Sequence, residues 1–216
     1  MIFRDRRDAG ERLGARLAEL GTIGAGAATV LGIPRGGVVV ADAVAARLRA
    51  PLDVVIPRKL GAPGNPELAI GAIAPGVRVL DERTVRMLGV SDRYVDREVE
   101  RQEREIERRA RGYRAGLPPL ELSGRTAIVV DDGVATGSTA VAALRWARAQ
   151  EAASVVLAVP VAPALTAGRL AEEADEIVVL ETPHLFHAVG QWYVRFGQVE
   201  DAEVLRILGR RSSVAS

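Results

Sequence analysis

An α/β fold, built as a mostly parallel sheet flanked by helices, follows from three features of the 216-residue sequence. Short aliphatic runs at 29–33, 53–56, 126–130, 155–159 and 177–180 have the length and branching of buried strands. The segments between them repeat apolar residues at helical spacing. Hydrophobic residues make up 48% of the chain but aromatics only 4%, so the interior must be packed with Val, Leu, Ile and Ala.

The first helix is expected over 8–20, where Ala9, Leu13, Leu17 and Leu20 share a face and Asp8 suits an N-cap; the glycines of 21–26 break it. Strand 29–33 runs into Pro34, Arg35, Gly36 and Gly37, then a helix carrying Ala41, Val44, Ala45 and Leu48. Strand 53–56 ends in Pro57, Arg58 and Lys59, and a Gly/Pro/Asn loop over 61–66 leads to a third strand at 68–73. Strand 126–130 precedes a helix through Leu144 and Trp146; strand 155–159, helix 165–174 and strand 177–180 complete the alternation. Ligands of such sheets bind beyond the carboxyl ends of the strands, which singles out the loops after Ile33, Ile56, Val130 and Val159.

Residues 91–116 differ in texture. They are dense in charge over a thin apolar stripe of Val95, Val99, Ile106, Ala110 and Tyr113. The pairs Glu100 with Arg104, Glu105 with Arg109 and Glu107 with Arg111 are helix-supporting, at about 0.2–0.5 kcal/mol each. Acids interleave with the arginines, so this long helix reads as a solvated or subunit-contacting face, compatible with a homodimer, and not as a nucleic-acid surface. It forms the main part of an insertion over about 82–116 in a single domain spanning 1–216.

With a net charge of +1, nothing draws the whole chain to nucleic acid or membrane. The absence of cysteine excludes disulfides and thiolate metal sites. The N-terminus lacks an apolar signal core and no run approaches the ~20 apolar residues of a membrane span, so a cytoplasmic location is expected. Lys59 is the single lysine in a chain that otherwise uses arginine for every basic position. His184 and His187 are the two histidines; without further ligands they read as a surface loop pair rather than a metal site.

The chemistry concentrates in Val129, Val130, Asp131, Asp132, Gly133, Val134, Ala135, Thr136, Gly137, Ser138 and Thr139. Two carboxylates at a strand end suit vicinal hydroxyls, because charged acceptors make the stronger hydrogen bonds. The small residues after them let backbone N–H groups approach a ligand, and the following helix N-terminus favours a phosphate. Thr136, Ser138 and Thr139 add hydroxyl donors. A nucleotide-triphosphate P-loop is excluded because no G-x-x-x-x-G-K-[ST] occurs, and Gly21, Gly24 and Gly26 miss the dinucleotide-binding spacing at Thr29.

Residues 129–139 resemble the phosphoribosyl pyrophosphate signature of type I phosphoribosyltransferases. Pro34 to Gly37 resemble the family's pyrophosphate loop, and Arg58 with Lys59 resembles the basic start of its mobile loop. The layout is similar to bacterial phosphoribosyltransferase-like proteins of unsettled substrate. The resemblance implies the type I phosphoribosyltransferase fold with a small C-terminal hood over about 181–209. It implies that Asp131 and Asp132 hold the ribose hydroxyls, that Gly133 and Ala135 to Thr139 wrap the 5-phosphate, and that Arg35, Gly36, Gly37, Arg58 and Lys59 face pyrophosphate. Asp131, Asp132, Arg35 and Lys59 would be the catalytic group, and the peptide between Arg35 and Gly36 an unusual cis bond. Mg²⁺ would be held mainly by substrate oxygens, with no protein ligand beyond Asp131 and Asp132. Phosphoribosyl would pass to a nitrogenous base with release of pyrophosphate; the alternative is a non-catalytic sensor of phosphoribosyl pyrophosphate or a nucleotide on the same fold. Phe186, Trp192 and Tyr193, with Phe196, are the base-pocket candidates, and packing as the hood's own core is the other use open to them. Two departures weaken particular substrates: Ala135 stands where purine-salvage relatives often carry an acid, and the mobile loop lacks the lysines of orotate enzymes.

Overall fold

A computed structural model describes residues 2–21, 27–115 and 120–212. Its centre is a five-stranded parallel sheet in the order β2-β1-β6-β7-β8. The strands are β1 (Ala28–Gly32), β2 (Leu52–Val54), β6 (Thr126–Val130), β7 (Ser154–Val161) and β8 (Glu176–Glu181). Pairing is in register across the middle, with Val30 opposite Ile128 and Leu31 opposite Val129. Because side chains alternate along a strand, Val30, Ile128 and Val156 enter one apolar layer and Leu31, Val129 and Leu157 the other. The first layer is covered by α1 (Arg6–Leu20), α2 (Gly36–Leu48) and α7 (Asp201–Ser212), the second by α5 (Ser138–Ala149). Aliphatic strands buried on both faces explain how so few aromatics suffice.

A second sheet joins β3 (Arg58–Ala62), β4 (Asn65–Ala74) and β5 (Val77–Leu80) in antiparallel order. The sequence reading of 61–66 as an open loop is corrected here. Ala62 pairs with Asn65, leaving Pro63 and Gly64 as a two-residue turn, and Gly64 takes the positive φ of 73° that glycine tolerates best. Strand β5 escaped the sequence reading, although Val77 and Val79 alternate with Arg78 and Leu80 as a half-buried strand should.

Helix α1 begins at Arg6, earlier than expected. Asp5, not Asp8, is its cap, with the Asp5 carboxylate accepting from the Asp8 N–H. Gly21 closes the helix at φ 66°, and the rest of the glycine break, 22–26, lies outside the described residues.

The inserted segment contains α3 (Glu82–Met87) and α4 (Asp92–Tyr113); Gly116, expected to end it, lies outside the described residues. The apolar stripe is real at Val95, Ile106 and Tyr113, all buried. Glu98 and Gln102 on the same face are buried too, which charge counting alone did not anticipate. Helix α4 packs this side against β3, β4 and α7 of its own chain, the single packed contact that a thin apolar stripe suits, while Arg93, Arg97, Arg104 and Arg108 on the charged side are exposed. Tyr113 donates its hydroxyl proton to Asp201 at the start of α7; burial and that bond push the phenol up to about 12. Helix α6 (Ala164–Leu170) is shorter than the predicted 165–174. Among the described residues no helix is long and apolar enough to cross a membrane.

Candidate functional site

At the carboxyl ends of β1 and β6, two loops meet at glycine-scale distances. The peptide between Pro34 and Arg35 is cis, one position before the expected bond. A Cβ at Gly36 would stand 1.9 Å from Asp132 Oδ2, and one at Gly37 2.8 Å from the Asp131 Cα. Only residues without side chains let the 34–37 loop lie against the paired acids.

These loops line a cavity of about 560 Å³ together with Arg58, Lys59, Glu98, Arg101, Gln102, Asp131, Asp132 and Thr139. Arg35, Gly36, Arg58, Lys59 and both acids, predicted from distant stretches of sequence, therefore share one cleft. Arg35 is part-exposed and loosely held, with Glu200 and Asp201 each 3.9 Å away. Arg58 and Lys59, expected at the start of a loop, instead open strand β3, where they pair with Ile73 and Ala72 of β4. The Lys59 ammonium is tied to Glu67 through its carbonyl at 2.9 Å and its carboxylate at 3.2 Å.

The acids occupy unlike surroundings. Asp131 accepts from the Asp132 backbone N–H at 2.8 Å. Burial, then repulsion by Asp132, raises its carboxyl well above the usual range. Burial raises Asp132 as well, but Arg6 opposes the rise by donating from Nε to Oδ2 at 2.7 Å. Arg6 also donates to the Gly197 carbonyl and lies 3.8 Å from the centre of the Phe196 ring. Sequence reasoning missed Arg6 because nothing near it in the chain distinguishes it from the flanking Arg4 and Arg7.

Beyond the acids, the chain turns into α5. Gly133 (φ 157°) is buried against Val189 and Val161, and Gly137 (φ 86°) caps the helix. Ala135 and Thr136 are exposed, while Ser138 and Thr139 are half-buried at the first turn. Helix α6 braces the loop: Thr166 donates to the Ala135 carbonyl at 2.9 Å and Arg169 to that of Thr136 at 3.3 Å. The result is a helix N-terminus with a hydroxyl-rich, backbone-exposed approach, the form of an anion cradle.

The aromatic candidates separate. Tyr193 is buried between Phe3 and Phe196, and its hydroxyl donates to the Asp132 carbonyl. Its ring therefore serves packing and is not open for stacking on a base, which corrects that expectation. Phe186 and Trp192 are half-buried and Phe196 is at the surface. His184 and His187 are exposed, and among the described residues no group of three His, Asp or Glu side chains converges as a metal cage.

Residues 8–196 match the family model described as the phosphoribosyl transferase domain. Two Mycobacterium tuberculosis proteins, from strains CDC 1551 and H37Rv and carrying provisional phosphoribosyl transferase names, are 50% identical over 210 residues. That alignment takes in 97% of this chain but 47% of theirs, so the chain spans about half the length of the curated relatives it matches. The crystal structure of TT1426 from Thermus thermophilus superposes with a TM-score of 0.82 at 47% identity, covering 98% of this chain and all (100%) of that one. The AQ2163 protein from Aquifex aeolicus shares the fold at 15% identity, with a TM-score of 0.51 over 81% of this chain and 73% of that one.

Proposed function

Because the chain belongs to the phosphoribosyl transferase domain family, we propose that it binds phosphoribosyl pyrophosphate and transfers the phosphoribosyl group to a nitrogenous base. The observation that carries this reading is the convergence of Asp131, Asp132, Arg35, Arg58 and Lys59 on one cleft beside the N-terminus of α5. The 5-phosphate would lie on the backbone of Gly133 to Thr139, and the ribose hydroxyls on the free carboxylate oxygens of Asp131 and Asp132. Since Arg6 already holds Oδ2 of Asp132, Oδ1 is the oxygen left for sugar. The pyrophosphate would extend over Gly36 and Gly37 towards Arg35, Arg58 and Lys59.

In the reaction, the bond from the anomeric carbon to oxygen breaks and its electron pair leaves with pyrophosphate. The nitrogen lone pair forms the new C–N bond, and the proton it sheds is taken up by the basic leaving group. Carboxylates beside the sugar favour the positive charge that develops on it, while the arginines and Lys59 stabilise the departing anion. Mg²⁺ suits a site with two carboxylates and a polyphosphate substrate, because it keeps most of its oxygen ligands from phosphate and water. It would neutralise part of the pyrophosphate charge, with Asp131 and Asp132 the protein groups that could reach it.

Labelled phosphoribosyl pyrophosphate incubated with a panel of bases, following pyrophosphate release, tests the reading. Release with one base or a narrow set is expected. Tight binding without turnover across the panel would replace the transferase by a sensor, and failure to bind at all would remove both.

A further inference from the structure

Arg58 is half-buried at the mouth of the cleft, and among the described residues no carboxylate lies within ion-pair distance of it. Burial, then repulsion from Arg109, lowers its pKa, and the more distant Glu105 and Glu98 offset only part of this. Among the described residues its side chain makes one hydrogen bond, from Nε to Oε1 of Gln102 at 2.9 Å. Gln102 comes from α4, 44 residues away, and is itself buried. Its amide is oriented in turn by donation to Glu98 Oε1 at 2.8 Å. Glu98 is neutralised by two bonds from Arg101, at 2.8 and 2.6 Å.

The chemistry of this chain of contacts is specific. A carboxylate at 102 would bind Arg58 more tightly but cancel its charge. A neutral amide accepts from Nε, fixes the plane of the guanidinium and leaves both terminal amino groups, with the full charge, for a bidentate anion. Glu98 orients that amide while its own hydrogen bonds go to Arg101, so its pull on Arg58 is the smallest of the charges acting there.

We propose that Gln102 is a positioning residue that aims Arg58 at the pyrophosphate end of phosphoribosyl pyrophosphate, which makes the inserted helix α4 part of the leaving-group site. This rests on the function proposed above. It gives the charged insertion a role that neither subunit contact nor surface solvation requires.

The test uses calorimetry with inorganic pyrophosphate and with ribose 5-phosphate, in magnesium-containing buffer, on the full chain. Gln102→Leu keeps the volume and removes the acceptor. It is expected to weaken pyrophosphate about tenfold, the scale of one charge-assisted hydrogen bond, and to leave ribose 5-phosphate within about twofold. In an Arg58→Ala background the same change should have no further effect, because the residue acts through Arg58. Gln102→Glu, which keeps size and acceptor but cancels the charge, should also weaken pyrophosphate; it carries the test if the leucine variant fails to fold. Unchanged pyrophosphate affinity in a folded variant, equal loss of both ligands, or additivity with Arg58→Ala would each overturn the inference. If the parent protein bound neither ligand, the proposed function would fall first and this inference with it.

Discussion

Arg6 and Asp132, 126 residues apart, are joined by a bond of 2.7 Å between Nε and Oδ2, with both side chains largely enclosed. The pair fastens the first turn of α1 to the strand end that carries the candidate ribose reader. The Phe196 ring lies against the same guanidinium, so the N-terminal helix, the central sheet and the C-terminal segment meet at one charge.

Removing Arg6 should therefore cost stability as well as order. Arg6→Met keeps the stem that packs on Phe196 but strands the Asp132 carboxylate, a loss of about 3 kcal/mol on the scale of an enclosed pair broken from one side. Adding Asp132→Asn to that variant should recover part of the loss. Urea unfolding of the single and double variants checks this, and an Arg6→Met protein as stable as the parent would contradict it.

Asp131→Asn combined with Asp132→Asn should largely abolish phosphoribosyl pyrophosphate binding in a chain that still folds. The charge-assisted bond lost at Asp132 is worth ~1.5–3 kcal/mol and the neutral one at Asp131 about 0.5–1.5 kcal/mol, so the affinity should fall by well over tenfold. Calorimetry on the folded double variant reads it directly. Unchanged affinity would remove the acids from the site.

A pH test follows from Asp131. Its raised carboxyl retains a proton that the unfolded chain gives up above about pH 4. Stability is therefore lost as pH rises through the raised value. Asp131→Asn removes that penalty, so it should be more stable than the parent near neutral pH, with the gap closing towards about pH 4. Glu105 moves the opposite way. Bonds from Arg108 and Arg109 lower it to about 2, so its contribution is present above the ordinary glutamate range and lost only as pH falls towards 2. Urea midpoints across this interval decide the matter, and a gap that ignored pH would refute the assignment.

Lys59 offers a comparison of ligands. With its ammonium held by Glu67 on β4, it faces the cleft from the start of strand β3. Lys59→Ala should weaken pyrophosphate-containing ligands and spare ribose 5-phosphate. Lys59→Arg should restore this only in part, because a planar fork cannot keep both contacts of a compact ammonium. Full restoration by arginine would reduce Lys59 to a generic charge.

What could be read from the sequence was local. The alternation of aliphatic runs and amphipathic segments specified the parallel sheet, because burial on both faces leaves a continuous apolar signature in each strand. The stretch from Asp131 to Thr139 was legible for the same reason: acids, small residues and helix N-terminus are contiguous, so spacing alone states their geometry. Tertiary structure decided the rest. Arg6 reaches Asp132 across 126 residues and Gln102 reaches Arg58 across 44, and no periodicity or propensity encodes such pairs. Arg58 and Lys59 looked like the start of a loop because strand β3 is made only by pairing with β4, a partner that a single segment does not reveal. Glu98 and Gln102 looked solvated because charge and amide groups ordinarily are. They are buried because Arg101 and Arg58 satisfy them, and hydrogen-bond partners of that kind are supplied only when the chain has folded.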